Sequence, residues 1–527
     1  MLACIALGWN LGGHRFLDPD EGRNAEVARE MSAGGDYLLP HLDNLPYLDK
    51  PVFYFAAAAL SMDVLGPSET AARLPAYLAT LGTIAIVVWF ARRRWGAAAG
   101  WIAGLALATM PLTLAYARTT IFDSTLSFFT TAAIVAFISE RPVLAWAAMG
   151  AGGLTKGPVA LLIPLAAIVP YVWLVGGRVR SIFPWRGLVA FAVVALPWFI
   201  AVSRRLPEFP HYVFVRETLE RVTTRDFHRT APWWYYLPII PVAAFPWIVP
   251  ALSRLRHWKW AWLARRVNVA ARDALLLACW VLGPLVFFTV NQSKLPQYVL
   301  PLMPAFALAA ARILTTDGAG VASRVYLAVA GVLGVALVTI GGWLPAGVPL
   351  TSQEVAALPP SGRAIGVVLL VSAALVFVAA RRRNLSLAAA GYAIGVIAFP
   401  FVTGSLMHAV GDDRSAYALA EAVRGRGAIV AIRAYPTSLP FYLQQQLPIY
   451  TPTGRELTSN YIADYVDKYR QAPGSPLLVA DAWRDRLAAC TEHTVFIARP
   501  VDRDVIAALA ALPKLYDNGR YAAYGPC

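Results

Sequence analysis

The sequence predicts an α-helical protein that crosses a membrane many times and carries a small α/β domain at its C-terminal end. Three observations carry this expectation. Of the 527 residues, 58% are hydrophobic and only 15% are charged, and the mean hydropathy is positive, a balance that ordinary soluble domains do not reach. The basic residues behind the net charge of +15 gather in short runs between apolar stretches, as cytoplasmic loops require, so the charge does not mark a nucleic-acid surface. Beyond about residue 408, long apolar runs give way to short ones of strand length.

A spanning helix needs about 20 apolar residues. Runs near 1–16, 71–91, 97–116, 122–139, 143–155, 158–175, 187–203, 234–253, 273–290, 297–312, 325–343, 364–380 and 386–408 predict about thirteen spans on that criterion. The first is short, and it lacks the basic n-region and A-x-A site of a cleaved leader, so it reads as a helix. Placing Arg92, Arg93 and Arg94 in the cytoplasm puts the segment before residue 71 on the outer side. Counting onward from there, Arg178, Arg180 and Arg186, the basic block 254–272, and Arg381 to Arg383 all fall on the cytoplasmic side. The apolar stretch 51–66 then lies along the outer interface instead of crossing.

The same parity places residues 17–70, the turn around Asp123, the loop 204–233, Asn291 to Tyr298 and everything after residue 409 outside. Two domains follow: a membrane domain over 1–408 that includes the outer segment 17–70, and an outer α/β domain over 409–527. In the latter, strand-like runs at 428–432, 477–480 and 494–497 alternate with helix-like stretches near 414–424, 459–470 and 483–490. Cys490 and Cys527 both fall there and can pair if that side is oxidising.

The most informative string is Phe16-Leu17-Asp18-Pro19-Asp20-Glu21-Gly22-Arg23-Asn24-Ala25-Glu26, which sets acids and an arginine directly behind the first apolar segment. Charges at the lip of a bilayer are costly and serve chemistry or transport. A transporter would carry charges mid-span and a two-fold repeat. Neither is visible, because the charges gather at one face.

The run Asp20 to Met31, with Gly35-Asp36, Tyr47-Leu48-Asp49-Lys50-Pro51, Leu154-Thr155-Lys156-Gly157, His228 to Tyr236 and Ser293-Lys294-Leu295-Pro296-Gln297-Tyr298, resembles the ArnT family. These are bacterial aminoarabinose lipid A transferases, relatives of the protein O-mannosyltransferases. The resemblance covers roughly residues 1–310. It implies the GT-C architecture, an inner-membrane location with site and C-terminal domain in the periplasm, and inverting transfer of a sugar, 4-amino-4-deoxy-L-arabinose or a similar amino sugar, from undecaprenyl phosphate to lipid A. The neighbouring alternative is a polyprenyl-phosphate-dependent mannosyl or hexosyl transferase acting on protein or another envelope glycan. Tyr47 to Pro51, in place of the His-Pro-Pro of protein mannosyltransferases, favours the lipid A branch. Two positions depart from the family's usual pattern, Asn24 for an aromatic and Asp49 for a glutamate.

Such a transfer needs a carboxylate near the acceptor and cations that stabilise the departing phosphate. By the resemblance Asp20 is the essential acid, with Glu21 beside it and Asp123 as a second loop acid; capping of the helices that follow is the competing use of all three. Arg23, Lys50, Lys156 and Lys294 are the cations, Lys50 aligning with the family's lipid-phosphate lysine. Tyr47 and Tyr298 hydrogen-bond substrate at headgroup level or belong to an aromatic belt. No cofactor is required by the residues themselves. The resemblance does raise a divalent metal such as zinc at Asp49 and His228, against a structural hydrogen bond for the histidine. The expected partners are the undecaprenyl-linked sugar, lipid A and membrane lipids, with the protein a monomer.

Overall fold

In a computed structural model of the protein, residues 2–213, 216, 231–253, 269–317, 320–340, 351–490 and 493–527 are described. The chain divides into two compact units, one built from residues 1–10 and 75–406, the other from 11–74 and 407–527. The first unit is helical. Counting the whole chain, seven helices among the described residues are long and apolar enough to cross a membrane: Glu69–Trp95, Val179–Arg205, Ala271–Val290, Pro296–Thr316, Ser323–Ile340, Gln353–Arg382 and Leu385–Val402. Ala97–Ala108, Asp123–Ile138 and Val159–Leu174 are shorter apolar helices, as is Phe53–Leu65 of the second unit. The protein is a multi-pass membrane protein.

Several spans expected from the sequence are broken. Only Leu2–Gly8 is helical within 1–16. The run 97–116 divides into Ala97–Ala108 and Pro111–Tyr116, because Pro111 cannot donate to the preceding turn and Met110 before it is extended. The run 234–253 likewise yields Tyr236–Ala243 and Ile248–Ser253 on either side of Pro246. Hydropathy alone does not register these breaks, since proline sits within apolar runs without lowering them much. In the other direction, Ser352–Arg382 begins twelve residues before the expected 364, opened by a capping box in which Thr351 and Glu354 satisfy each other's backbone N–H.

Packing in the first unit relies on small residues and paired indoles. A Cβ at Gly283 would meet the carbonyl oxygen of Ala166 at 2.0 Å, so two helix backbones approach there as only glycine permits. Trp247 donates to Thr109 Oγ1 at 2.8 Å and Trp280 to the Pro301 carbonyl at 3.1 Å, so the N–H of each of these two buried indoles is paired. At the end of Glu69–Trp95, Arg94 and Trp95 both donate to Asp273, which is buried.

The second unit joins the segment 11–74, expected from the sequence to go with the membrane domain, to residues 407–527. The segment holds the helix Asp20–Gly34, a hairpin of β1 (His41–Leu42) and β2 (Leu45–Pro46), and the helix Phe53–Leu65. Asp43 and Asn44 both have positive φ and form the two-residue turn that a twisted hairpin favours. The C-terminal part is a six-stranded sheet of order β5-β4-β3-β6-β8-β7, formed by β3 (Ala428–Ile432), β4 (Ile449–Tyr450), β5 (Leu477–Leu478), β6 (Thr494–Ala498), β7 (Lys514–Asp517) and β8 (Ala522–Tyr524). Strands β5, β4, β3 and β6 are parallel, and β8 runs antiparallel to β6. Val430, Ile432, Phe496 and Ala498, at alternating positions, share one core with Trp483, Val505 and Leu509 from the covering helices. Cys490 and Cys527 form a disulfide that ties down the end of the chain.

Candidate active site

The acid-bearing loop opens the helix Asp20–Gly34. Its N-cap is Pro19, which has no side chain to cap with, so Asp20 and Glu21 occupy the first turn. A carboxylate is stabilised there by the helix dipole. The two acids then diverge. Glu21 is buried and bound on both oxygens by Arg73, through Nε and Nη2 at 3.0 Å each, and also accepts the Leu17 N–H at 3.0 Å. Arg73, itself fully buried, donates onward to the carbonyls of Leu11, His14 and Arg15. This is a structural clamp, and it gives Glu21 the task of fixing the loop. Asp20 keeps 42% of its side-chain surface exposed and accepts a 2.6 Å bond from Arg23 Nη2.

Arg23 is the reverse of Asp20, buried but with spare donor capacity. Its Nη1 donates to the carbonyl and hydroxyl of Thr458 at 3.0 and 2.7 Å, and its guanidinium lies 5.9 Å from the Tyr47 ring. Its Nε–H is buried and has no acceptor among the described residues. Burial works against its charge, but Tyr47, Asp20 and Asp49 outweigh that and hold it firmly protonated. Lys50 donates to the carbonyl of Asp49. The two oxygens of Asp49 accept the N–H groups of Tyr461 and Asn460 at 2.9 and 3.0 Å, the donors at the start of the helix Asn460–Asp464.

Asp18, two residues before Asp20, is half-buried with its Oδ1 enclosed. Its Oδ2 accepts from the Ser438 N–H and hydroxyl at 3.2 and 2.8 Å, while Oδ1 has no partner among the described residues. Burial raises its pKa to about 7, the Ser438 bonds pulling the other way.

In the first unit a second group forms around Asp123. It heads the helix Asp123–Ile138 and pairs with Lys156 Nζ at 2.6 Å. Lys156 is the last residue of Pro142–Lys156, where Gly157, at φ +71°, ends one helix and Pro158 opens the next. The ammonium stands 4.8 Å from the centre of the Tyr298 ring. Neighbouring Gln297 accepts from Tyr116. Lys294 is turned to backbone, donating to the carbonyls of Asn291 at 2.6 Å and Ala231 at 3.1 Å.

The structure therefore brings Asp20, Arg23, Tyr47, Asp49 and Lys50 into one unit and Asp123, Lys156 and Tyr298 together in the other. His228 lies outside the described residues. No group of three or more His, Cys, Asp or Glu side chains is placed to hold a metal among the described residues, and both oxygens of Asp49 accept backbone N–H groups. Arg73, Asp18 and Thr458 are additional to the residues singled out from the sequence. Arg73 left one signal there, the sole charge within the apolar run 71–91. Thr458 left none.

Compared with solved structures, the whole chain superposes on ArnT from Cupriavidus metallidurans bound to undecaprenyl phosphate, with a TM-score of 0.84 at 25% identity, covering 100% of this chain and 97% of that one. The fold is that of ArnT. The architecture is GT-C, as the resemblance in the first-loop motifs implied. Curated relatives agree: the undecaprenyl phosphate-α-4-amino-4-deoxy-L-arabinose arabinosyl transferase of Yersinia enterocolitica is 33% identical over 56% of this chain and 55% of its own length. The Serratia proteamaculans protein of the same name is 31% identical over 65% of each. The chain thus spans about half to two thirds of the length of the ArnT relatives it matches. Residues 49–200 match the family model of dolichyl-phosphate-mannose-protein mannosyltransferases.

Proposed function

We propose that this protein transfers 4-amino-4-deoxy-L-arabinose, or a similar amino sugar, from undecaprenyl phosphate to lipid A at the periplasmic face of the bacterial inner membrane. The observation that carries the reading is the full-length likeness to ArnT holding undecaprenyl phosphate, together with an exposed Asp20 braced by a buried Arg23. Asp20 is the reactive carboxylate. Toward a hydroxyl acceptor it takes the proton as the oxygen attacks the anomeric carbon; toward an ionised lipid A phosphate it orients the nucleophile. The glycosidic bond breaks with its electron pair leaving on undecaprenyl phosphate, and cations stabilise that charge. Arg23 and Lys50 are assigned this role, with Tyr47 as a hydrogen-bonding partner; Lys156, Lys294 and Tyr298 are separate candidates for it, with Asp123 holding Lys156. The unused Nε–H of Arg23 supports an anion-binding role, since a buried donor without an acceptor is costly. The Cys490–Cys527 disulfide supports a periplasmic C-terminal region, because such bonds persist in oxidising compartments.

The test is mass spectrometry of lipid A from a host lacking its own aminoarabinose transferase but retaining the donor pathway. The chain should add one aminoarabinose mass, and Asp20→Asn, inserted at the same level, should add none. Unmodified lipid A with the protein present would reject this donor and acceptor. The mannosyltransferase match over residues 49–200 favours one second reading, hexose transfer to protein, which the same strain would report as a glycoprotein mass shift.

A further inference from the structure

In parallel sheets, the crevice outside the carboxyl ends of the strands is the usual place for a ligand. Here it is filled by the chain's own first loop. After β3, Thr437 Oγ1 donates to the Pro19 carbonyl at 2.9 Å and Ser438 binds Asp18 through its N–H and hydroxyl. After β4, Thr458 accepts Arg23 with both its oxygens, and the N–H groups of Asn460 and Tyr461 hold Asp49. The fit is close: a Cβ at Gly22 would meet Ser438 N at 2.6 Å and Asp18 Oδ1 at 2.1 Å.

Thr458 is also held in the left-handed region, at φ +55° and ψ +31°, which a β-branched residue adopts only under constraint. Such strain concentrates where a side chain must be aimed. We infer that the C-terminal α/β domain is the mould for the acid-bearing loop, and that Thr458 is a positioning residue that holds Arg23 against Asp20. This rests on the transferase reading of Asp20. The step itself is unchanged; Thr458 touches neither sugar nor phosphate and acts through Arg23.

Three variants of the full chain test it, by transfer kinetics in membranes and by hydrogen exchange on the purified protein. Thr458→Val keeps shape and backbone strain but loses the hydroxyl acceptor. It should lower kcat roughly tenfold with KM for the donor little changed, the cost of one charge-assisted hydrogen bond. The acid limb of its pH profile should move to higher pH as Asp20 loses part of its braced cation; the other ionisable groups facing the pair, Tyr47 and Asp49, are untouched. Amides of 20–26 should exchange faster while those of β3 and β6 stay protected. Thr458→Ser should restore all three readouts. Thr458→Gly relieves the strain, so it should melt no lower than the parent yet transfer as poorly as Thr458→Val. Wild-type kinetics and exchange in Thr458→Val would overturn the inference. If the parent chain transfers nothing, the transferase reading fails, and exchange at 20–26 still decides whether Thr458 positions the loop.

Discussion

At the level of single residues, the acids of one short loop are separated by what surrounds them. Asp18, Asp20 and Glu21 look alike in the sequence, yet one has an enclosed oxygen with no partner among the described residues, one has a partly exposed carboxylate beside an arginine and one is locked in a bidentate pair. Position in the chain does not carry that distinction, because Ser438 and Arg73, which bind Asp18 and Glu21, come from elsewhere in the sequence, as does Thr458, which holds the Arg23 that pairs with Asp20. Asp18 makes the difference measurable. Burial raises its pKa from the usual 3.8 to about 7, so between those values the folded protein keeps a proton that the unfolded chain releases. Stability therefore falls as pH rises through that window and levels off above it. Glu26 and Asp43, also pushed up by burial, add to the same slope. The apparent Tm should drop from pH 4.5 to 7.5, and Asp18→Asn should flatten part of that drop. The Glu21–Arg73 pair allows a second measurement. Arg73→Met strands a buried carboxylate and should cost about 3–5 kcal/mol, whereas adding Glu21→Gln should recover much of it, read as a non-additive Tm cycle.

At the level of elements, what was legible followed period and length. Strands β3 and β6, short and almost continuously apolar runs of five residues each, were readable, as was Trp483–Ala489. The run 477–480 was also readable, though only Leu477–Leu478 of it pairs as β5; β4 has two residues, too few to show any period, and β7 and β8 pair only with each other and with β6 at the edge. Among helices the errors were interruptions, and the interruption at Gly157 bears on the site. Its φ of +71° ends one helix so that Lys156 can turn to Asp123. Gly157→Ala forces a Cβ onto a backbone at φ +71° and ψ −148°, a combination almost confined to glycine, and should cost about 1–3 kcal/mol. Because open space surrounds that Cβ, the cost is conformational, and transfer should fall through Lys156 with no change in membrane insertion.

For the molecule as a whole, hydropathy separated membrane from non-membrane sequence but did not assign residues 11–74. Those residues precede most of the membrane helices in the chain, and their packing partners arrive more than 330 residues later. Sequence order suggests the nearer neighbour, while hydrogen bonds from Phe16 to Tyr442 and from Asp49 to Tyr461 pull the segment to the distant one. Folding of this unit therefore has to wait for the C-terminal domain, and the disulfide is the last tie in it, closing across 37 residues at the chain end. Loop-closure entropy for that span is worth roughly 4 kcal/mol. In a strain with an intact oxidative periplasm, Cys490 and Cys527 should resist maleimide until reduced, while Cys490→Ser leaves Cys527 reactive. In a strain unable to make periplasmic disulfides both should label, and the acid-bearing loop should become sensitive to protease because the mould that holds it is loosened. Free, labelled thiols in the oxidising strain would place the C-terminal domain in the cytoplasm and reverse the whole topology.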